Sequence, residues 1–259
     1  MNVIEILSLL KKQLSVCKKI KYHKKLPSTQ LAVKKLAEKG FEEGFIVVAE
    51  KQTSGYGRSK KVWSSNVGGL WFSILLKPII RPDEVSKLTL LLSVALKRTL
   101  KRKYQISSKI KWPNDVLVCD KKIAGIIVEM FAEQDRINWV VAGIGININN
   151  DIPKNLENIS VSLKDILKSE ADRAEFMTEF LIDFEKLYLD FQKDGFNQFS
   201  EEYNDNLAYK NKSVSIDTGH AVTTGINLGI DEGGMLIIKT LNSFEKIISG
   251  TLRRSKECD

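Results

Sequence analysis

The sequence predicts an α+β fold in which a mixed or antiparallel sheet with helices is followed by a small C-terminal β-barrel. Apolar residues recur at helical spacing in several segments. Strand-like apolar runs follow one another between residues 106 and 148 without helices between them, which favours antiparallel neighbours over parallel crossovers. Near Asn211 the pattern changes to short, alternating strands.

Length and composition restrict the class of protein. The 259 residues are 43% apolar and 28% charged, with only 5 prolines, so the chain can bury a core. No apolar run reaches the roughly 18 residues of a membrane span, and the first residues lack the basic region of a secretory signal. We therefore expect a cytoplasmic protein with no membrane partner. Three cysteines and two histidines predict neither a disulfide framework nor a structural metal.

The net charge of +8 comes from the first 40 residues, which hold ten lysines against Glu5 and Glu38. Such a segment either faces water or attracts an acidic protein partner. Aromatic residues do not alternate with these lysines, and no known DNA-binding pattern accompanies them, so we expect no nucleic-acid partner.

Helical periodicity predicts amphipathic helices at residues 3–17, 29–39, from Pro82 onward, 162–168 and 173–193. Ser28 or Thr29 is the expected N-cap of the second helix, and Gly40 its end. The residues expected to face inward from the helix after Pro82 are Val85, Leu88, Leu91, Leu92, Ala95 and Leu96. The core stripe predicted for the last helix consists of Phe176, Phe180, Phe184, Leu187 and Phe191.

Apolar runs rich in Val and Ile predict the strands of the main sheet. They lie at residues 45–49, 70–76, 106–112, 116–118, 123–130 and 139–148. The polar Asp120-Lys121 corner between two of them is typical of a hairpin turn. A long polar loop, residues 51–68, interrupts the regular structure, and loops of this length are often functional.

The C-terminal strands are predicted from alternation around a Gly233-Gly234 turn, with Ile237 and Ile248 marking two further short strands. The alternating apolar residues are Val214, Ile216, Val222, Ile226, Leu228 and Ile230. A small barrel is the simplest fold for this segment. The predicted organisation is an N-terminal helical extension at 1–20, a catalytic domain at 21–210 and a barrel at 211–259.

The polar loop contains the first chemical motif, Gly55-Tyr56-Gly57-Arg58-Ser59-Lys60-Lys61-Val62-Trp63. Its glycines allow the backbone to approach an anion, and its cations suit phosphate. It lacks the Walker pattern. Taken alone, the motif fits a mobile turn as well as a phosphate clamp.

Three further segments contribute to the pattern. Lys111-Trp112-Pro113-Asn114-Asp115 places a proline at a strand end, so Asn114 and Asp115 are expected to point away from the strand pairing. Lys122-Ile123-Ala124-Gly125 opens an apolar strand, and Gly143-Ile144-Gly145-Ile146-Asn147 carries glycines where a ligand or a backbone can approach closely. Each alone has an ordinary structural explanation, as a turn, an edge residue or a barrel kink.

The four segments occur together and in this order, and that ordered set resembles the biotin protein ligases. The resemblance runs from about Lys21 to the C-terminus and includes Ser28-Thr29-Gln30 and Gly250-Thr251-Leu252. It implies a catalytic domain of the class II synthetase and biotin ligase type and an SH3-like C-terminal barrel. Lys-Trp-Pro-Asn-Asp is the most specific of its motifs.

The resemblance also implies an activity. Members of this family convert ATP and biotin, with Mg²⁺, to biotinyl-5′-adenylate and pyrophosphate. They then transfer biotin to a lysine of a biotin carboxyl carrier protein domain of a carboxylase. Relatives often form dimers through edge strands, so a homodimer is compatible with the resemblance.

Matching positions imply residue roles, with Asp115 orienting or deprotonating the acceptor amine. The implied catalytic residues are Lys122, Arg58, Asp115 and Lys111. The residues implied to bind biotin are Ser28, Thr29, Gln30, Gln52, Gly55, Tyr56, Gly57, Arg58, Lys122 and Gly125. The residues implied to bind the nucleotide are Arg58, Trp63, Lys111, Asn114 and Asn147. No metal ligand set is implied within the protein itself.

This sequence departs from the family pattern at four positions. The family often has Arg where Tyr56 stands, Gly near Lys60, Arg near Lys61 and Asn in place of Gln30. These changes bear on how tightly the adenylate is retained. Only 27 residues precede Ser28, which favours a monofunctional ligase without an N-terminal DNA-binding domain.

Two alternatives compete with this interpretation. A lipoate ligase would carry an Arg-Arg-x-Ser-Gly-Gly-Gly block, which is absent here. A catalytically silent ligand-binding protein of the same fold would have lost Lys122, Arg58 or Asp115, and all three are present.

Overall fold

The computed structural model describes residues 14–255, and in this range the main sheet has seven strands in the order β1-β2-β3-β7-β6-β5-β4. β1 and β2 are parallel, and all other neighbours are antiparallel, so the predicted mixed sheet is confirmed. The strands are β1 (Lys19–His23), β2 (Phe45–Ala49), β3 (Leu70–Leu76), β4 (Lys109–Lys111), β5 (Asp115–Val118), β6 (Lys121–Glu133) and β7 (Arg136–Ile146).

Helices cover both faces of this sheet. They are α1 (Thr29–Glu38), α2 (Val85–Tyr104), α3 (Leu163–Leu167), α4 (Arg173–Asp194) and α5 (Asn197–Asp205). α1 packs on β2, β3 and β7, while α2 packs on α4 and on β4 to β6. In β2, Val47 faces the α1 side and its neighbours Ile46 and Val48 face the larger core. Burial on both faces explains why this strand is a continuous apolar run.

The apolar stripes predicted for α2 and α4 are confirmed. The inward residues of α2 are all buried, and Phe176, Phe180, Phe184, Leu187 and Phe191 of α4 are each at most 1% exposed. Phe180 also packs edge-on against Phe72 of β3, with 5.8 Å between the ring centroids. The two long helices and the sheet therefore enclose one core.

The C-terminal segment forms an antiparallel five-stranded sheet in the order β11-β10-β9-β8-β12, as expected for a small SH3-like barrel. Its strands are β8 (Ser213–Asp217), β9 (Val222–Ile230), β10 (Leu236–Lys239), β11 (Phe244–Ile247) and β12 (Thr251–Arg254). Its buried apolar residues are continuous with the main core. Trp112 Nε1 donates a hydrogen bond to Gly234 O at 3.1 Å and joins the two sheets.

Several boundaries differ from the sequence prediction. The helix predicted at 3–17 falls mostly outside the described residues, and residues 14–17 are not helical. β4 (Lys109–Lys111) is shorter than the strand predicted at 106–112, and β7 (Arg136–Ile146) begins and ends earlier than the strand predicted at 139–148. The sequence pattern places Ile248 in a strand, but in the structure Ile248 lies between β11 and β12 and is 76% exposed.

The N-terminus of α1 is capped differently from the prediction. Ser28 has the extended backbone of an N-cap, but its side chain makes no capping hydrogen bond. Instead, Gln52 Oε1 accepts from Thr29 N at 2.7 Å. A loop side chain thus satisfies one of the backbone donors that a helix start leaves open. In the described range, none of the helices has the length and apolarity required to cross a membrane.

Candidate functional site

A cavity of about 380 Å³ lies between the main sheet and the C-terminal sheet. It is lined by the polar loop, the Lys111–Asp115 segment, the start of β6, the end of β7 and Gly250-Thr251-Leu252. The predicted site residues that line it are Ser28, Thr29, Gln30, Gln52, Tyr56, Gly57, Arg58, Trp63, Lys111, Asn114, Asp115, Lys122, Gly125 and Asn147. Segments far apart in the sequence therefore meet in one place.

Gly55 is the one predicted site residue that does not line this cavity. A Cβ atom there would lie 2.6 Å from Ser65 Oγ and 2.8 Å from Trp63 O. Close packing within the loop therefore requires a glycine at position 55, although Gly55 does not line the cavity.

Hydrogen-bonded polar side chains form one end of the cavity. Thr29 Oγ1 and Ser73 Oγ are 2.9 Å apart, and Ser73 Oγ donates to Gln30 Oε1 at 3.0 Å. Gln30 Nε2 donates to Val141 O, and Gln52 Nε2 donates to Ser65 Oγ. Because each group is held by a neighbour, this end presents fixed donors and acceptors suited to a polar ring.

Cationic side chains line the opposite part of the cavity. Lys122 Nζ lies 2.6 Å from Asp115 Oδ1 in a partly buried ion pair. Burial lowers the pKa of Lys111; the Asp115 carboxylate opposes this shift, while the charges of Lys122 and Arg253 add to it. This region therefore holds more positive than negative charge and favours an anionic ligand.

Arg58 connects the polar loop to two other segments. Its Nη1 donates to Asn114 Oδ1 at 3.0 Å and to Gly250 O at 3.2 Å, and its Nη2 donates to Ser249 Oγ at 2.7 Å. Burial lowers the pKa of Arg58, and the nearby Asp115 carboxylate opposes that shift. The guanidinium lies at the junction of the two sheets, beside the cavity.

The Lys111–Asp115 segment is fixed by backbone pairing and by Asn114. The Trp112–Pro113 peptide bond is cis. Asn114 Nδ2 donates to Ile126 O at 3.0 Å, and Asn114 O accepts from Ile126 N at 2.9 Å. Asp115 then begins β5, opposite Gly125 of β6. This arrangement turns Asn114 toward Arg58 and Asp115 toward Lys122.

Glycines in β6 and β7 allow side chains to lie flat on the sheet. A Cβ at Gly145 would lie 2.5 Å from Trp63 Nε1, and a Cβ at Gly143 would lie 2.5 Å from Gln30 Oε1. Lys122 Nζ lies 4.9 Å from the centroid of the Trp63 ring, a cation–π distance. Among the residues that the structure covers, Trp63 Nε1 is buried without a hydrogen-bond partner.

Asn147, at the end of β7, is buried and held from two sides. Its N–H donates to Ile123 O at 2.8 Å, and its Oδ1 accepts from Asn150 Nδ2 at 3.1 Å. Lys122 N in turn donates to Ile159 O, which fixes the start of β6 beside residues 159–161. The amide is thus positioned against the cavity by neighbouring backbone.

Sequence reasoning missed several residues at the site. Ser73 contacts both Thr29 and Gln30. The one feature of the sequence that could have indicated it is a single hydroxyl residue within the apolar run of β3. Glu129 and Ser249 bind the polar loop from distant parts of the chain. No local pattern marks either of them, because their partners are 73 and 191 residues away.

The side chains at the site restrict how a metal is bound. Within residues 14–255 no three His, Cys, Asp or Glu side chains are grouped as a metal site. Asp115 supplies the one carboxylate among the described residues of the cavity wall. One carboxylate beside an anion site fits Mg²⁺ that is held mainly by substrate phosphates, and it does not fit an all-protein metal cage.

Comparisons with known proteins identify relatives of this chain. A model of the biotin/lipoate A/B protein ligase family matches residues 22–147. The bifunctional ligase/repressor BirA of Bacillus subtilis (strain 168) is 39% identical over 241 residues, which cover 89% of this chain and 72% of that protein. The biotin–[acetyl-CoA-carboxylase] ligase of Paracoccus denitrificans is 27% identical over 218 residues, covering 82% of this chain and 90% of that protein.

A solved structure extends the comparison to the fold. The biotin protein ligase from Aquifex aeolicus in complex with biotin and ATP matches with a TM-score of 0.82 at 30% identity. The match covers 92% of this chain and 100% of the Aquifex aeolicus chain. The chain therefore belongs to the biotin/lipoate A/B protein ligase family, among its biotin protein ligases.

Proposed function

We propose that this protein joins biotin to a specific lysine of a biotin carboxyl carrier domain of a carboxylase, in two steps. A carboxylate oxygen of biotin attacks the α-phosphorus of ATP, and the bond to the β-phosphate bridge breaks to give biotinyl-5′-adenylate and pyrophosphate. The acceptor amine then attacks the acyl carbon, AMP leaves and the amine loses a proton. Relatives named for biotin ligation and a neighbour holding biotin and ATP support this assignment.

The observation that carries the proposal is that Arg58, Lys111 and Lys122 line one cavity. A carboxylate and a triphosphate must approach within about 3.5 Å before they react. Bringing these anions together is unfavourable, and the cost grows as water is excluded. Converging cations offset this repulsion and stabilise the charge that develops as pyrophosphate leaves.

The remaining wall residues divide between the two ligands. The hydrogen-bonded end formed by Thr29, Gln30 and Gln52, with neighbouring Ser28, binds the ureido ring of biotin. Lys122 contacts the biotin carboxylate and the α-phosphate, with Gly57 and Gly125 leaving room for the ligand. Trp63 and the positioned amides of Asn114 and Asn147 serve the nucleotide.

In the second step the acceptor lysine must become neutral. With an ordinary pKa near 10.4, only about one lysine in 10³ is neutral at pH 7. Asp115 is paired with Lys122 in the structure, with 2.6 Å between Lys122 Nζ and Asp115 Oδ1. When a phosphate binds Lys122, the carboxylate becomes available to orient the acceptor ammonium and to accept its proton.

The same carboxylate suits the Mg²⁺ that this reaction requires. Mg²⁺ in nucleotide sites is commonly bound by one or two carboxylates together with substrate phosphates. Asp115 would hold it here, and the ion would supply charge neutralisation of the phosphate oxygens. The chain itself contributes the carboxylate and the surrounding cations.

The test of this function is biotin-dependent exchange of labelled pyrophosphate into ATP by the purified protein. We expect exchange with biotin, and none with lipoate or without a vitamin. Addition of a biotin carboxyl carrier domain should then give a mass increase of one biotin at a single lysine. Exchange supported by lipoate and not by biotin would assign the protein to the lipoate ligases of the same family.

A further inference from the structure

The polar loop beside the cavity is folded, and two of its side chains bond residues outside the loop. Tyr56 and Val62 form an antiparallel bridge, and Gly57 N donates to Lys61 O at 2.8 Å. The first attachment is made by Arg58, which bonds Ser249 and Gly250 just before β12, as described above. The second attachment lies at Tyr56.

Tyr56 is bound to a charged pair outside the cavity wall. Its hydroxyl donates to Glu129 Oε2 at 3.0 Å, and Glu129 Oε1 lies 2.7 Å from Lys34 Nζ. Lys34 belongs to α1 and Glu129 to β6, so the loop is joined to a helix and to a strand. Both side chains of the pair are about three-quarters buried, at 23% and 25% exposure. A hydrogen bond to a partly buried carboxylate is stronger than one between neutral groups.

The charge state of Glu129 agrees with this arrangement. Burial opposes its ionisation, but hydrogen bonds from Lys34, Gln30 and Tyr56 outweigh burial, so the pKa of Glu129 is lowered. The carboxylate is therefore ionised at neutral pH and accepts from both Tyr56 and Lys34. Its partner Lys34 is four residues after Gln30, on the same helix.

We propose that Glu129 is a positioning residue which, through Tyr56 and Lys34, holds the loop at residues 55–62 in place at the cavity. This inference rests on the proposed function for the identity of the ligand. Tyr56 stands where the resemblance expects arginine, so in this chain a phenol hydroxyl makes the contact with Glu129. Arg58, two residues after Tyr56, forms the other attachment.

Attachment of the loop changes the energetics of ligand binding. The contacts of Glu129 supply part of the free energy that orders residues 55–62, so less of it has to come from biotin and the apparent affinity is higher. The same attachment slows opening of the loop once the adenylate has formed, and water has less access to it. Loss of the attachment should therefore weaken binding more than it slows the chemistry.

The test measures opening of the loop by limited trypsin digestion of the ligand-free full chain, following cleavage after Arg58, Lys60 and Lys61 by mass spectrometry. Cleavage of a transiently open segment reports the population of its open form. We expect Glu129→Ala and Tyr56→Phe each to accelerate cleavage about tenfold, as loss of a hydrogen bond to a charged group implies. The double variant should be cleaved no faster than Glu129→Ala, because Glu129→Ala already removes the bond to Tyr56.

Two further variants separate positioning from general destabilisation. Glu129→Gln keeps an oxygen that accepts from Tyr56, so cleavage should stay within about threefold of the wild type. Tyr22→Phe removes a similar bond, which runs from Tyr22 of β1 to Glu50 at 2.8 Å. Neither Tyr22 nor Glu50 lines the cavity. Tyr22→Phe should leave loop cleavage unchanged. Equal cleavage of wild type and Glu129→Ala, or equal acceleration by Tyr22→Phe, would overturn the proposal.

The exchange reaction provides a second readout. Glu129→Ala should raise the KM for biotin about tenfold while kcat changes less than about twofold, since binding now has to order the loop. A loss confined to kcat would contradict the positioning role. The digestion needs no catalysis, so wild-type protein without exchange activity would overturn the proposed function and leave the digestion result to decide the role of Glu129.

Discussion

Under the proposed function, Lys122 is the residue on which the chemistry depends most. It begins β6, pairs with Asp115 at 2.6 Å and lies over the Trp63 ring at 4.9 Å. Its backbone is fixed on both sides, because Lys122 N donates to Ile159 O and Lys122 O accepts from Val161 N. A cation held in this way can meet two anionic ligands without a large rearrangement, which is the basis of electrostatic preorganisation.

Substitution Lys122→Ala should reduce biotin-dependent pyrophosphate exchange at least about 10²-fold, as removal of a preorganised charge at a reacting centre typically does. The matched control is Lys121→Ala, because Lys121 is adjacent but does not line the cavity, and its ammonium group bonds only Glu157 O among the described residues. We expect the control to retain exchange. Thermal melting of both variants checks that the lost exchange activity does not result from unfolding.

At Gly143 the side chain of Gln30 approaches too closely for a methyl group. A Cβ would lie 2.5 Å from Gln30 Oε1 and 2.9 Å from Ile127 Cγ2. Gly143→Ala should therefore displace the Gln30 amide and raise the KM for biotin about tenfold, in line with loss of one or two hydrogen bonds. An unchanged KM in the exchange assay would show that Gln30 does not contact the ligand.

At the scale of the element, sequence pattern predicted those segments whose burial is one-sided and periodic. α4 is the clearest case, since its aromatic stripe recurs at helical spacing and is buried throughout. β1 was missed because its sequence, KIKYH, places lysines at an edge of the sheet, where they resemble a solvated charged segment. α5 was missed because only Phe199 and Tyr203 of its nine residues are buried.

Truncation of the α4 stripe should destabilise the fold through loss of packing. Phe184 is fully buried and stacks on Tyr188, with 5.5 Å between the ring centroids. Phe184→Ala should lower the free energy of unfolding by about 3–5 kcal/mol. Leu189→Ala, on the 43%-exposed face of the same helix, should change it by less than about 1 kcal/mol. Urea denaturation measures both, and similar losses in the two variants would contradict the assignment of the buried face.

At the scale of the whole molecule, the wall of the cavity comes from both parts of the chain, since Gly250, Thr251 and Leu252 line it together with segments of the main sheet. The sequence motifs indicated which cations and amides meet there, because their order and spacing are specific. They did not indicate the contacts of Arg58 with Ser249 and Gly250, or of Trp112 with Gly234. Those contacts join residues more than 100 positions apart and depend on how the two sheets pack, which no local pattern encodes.

Stability of the whole molecule should fall in acid. Burial opposes ionisation of Glu50, but Arg173 and Tyr22 outweigh it, so its pKa is lowered in the folded state. Burial of Glu202 is likewise outweighed by Arg98, which lowers its pKa. An unfolded glutamate titrates near pH 4.3. The unfolded chain then binds more protons, so this contribution is present above that pH and is lost as pH falls through the folded pKa values.

Urea denaturation between pH 7 and pH 3 tests this expectation. The free energy of unfolding should decrease below about pH 5, and the decrease should be smaller in Arg173→Met, which no longer stabilises the charged form of Glu50. A variant with the same pH dependence as the wild type would show that the Glu50–Arg173 pair does not contribute to acid sensitivity.

The most direct test of the central claim is a crystal structure with a non-hydrolysable analogue of biotinyl-5′-adenylate. We predict that Lys122 Nζ lies within hydrogen-bond distance, about 3 Å, of the acyl phosphate group, with Arg58 and Lys111 facing the same group. An analogue bound elsewhere, or bound in this cavity with Lys122 still paired to Asp115 and away from the phosphate, would contradict the account.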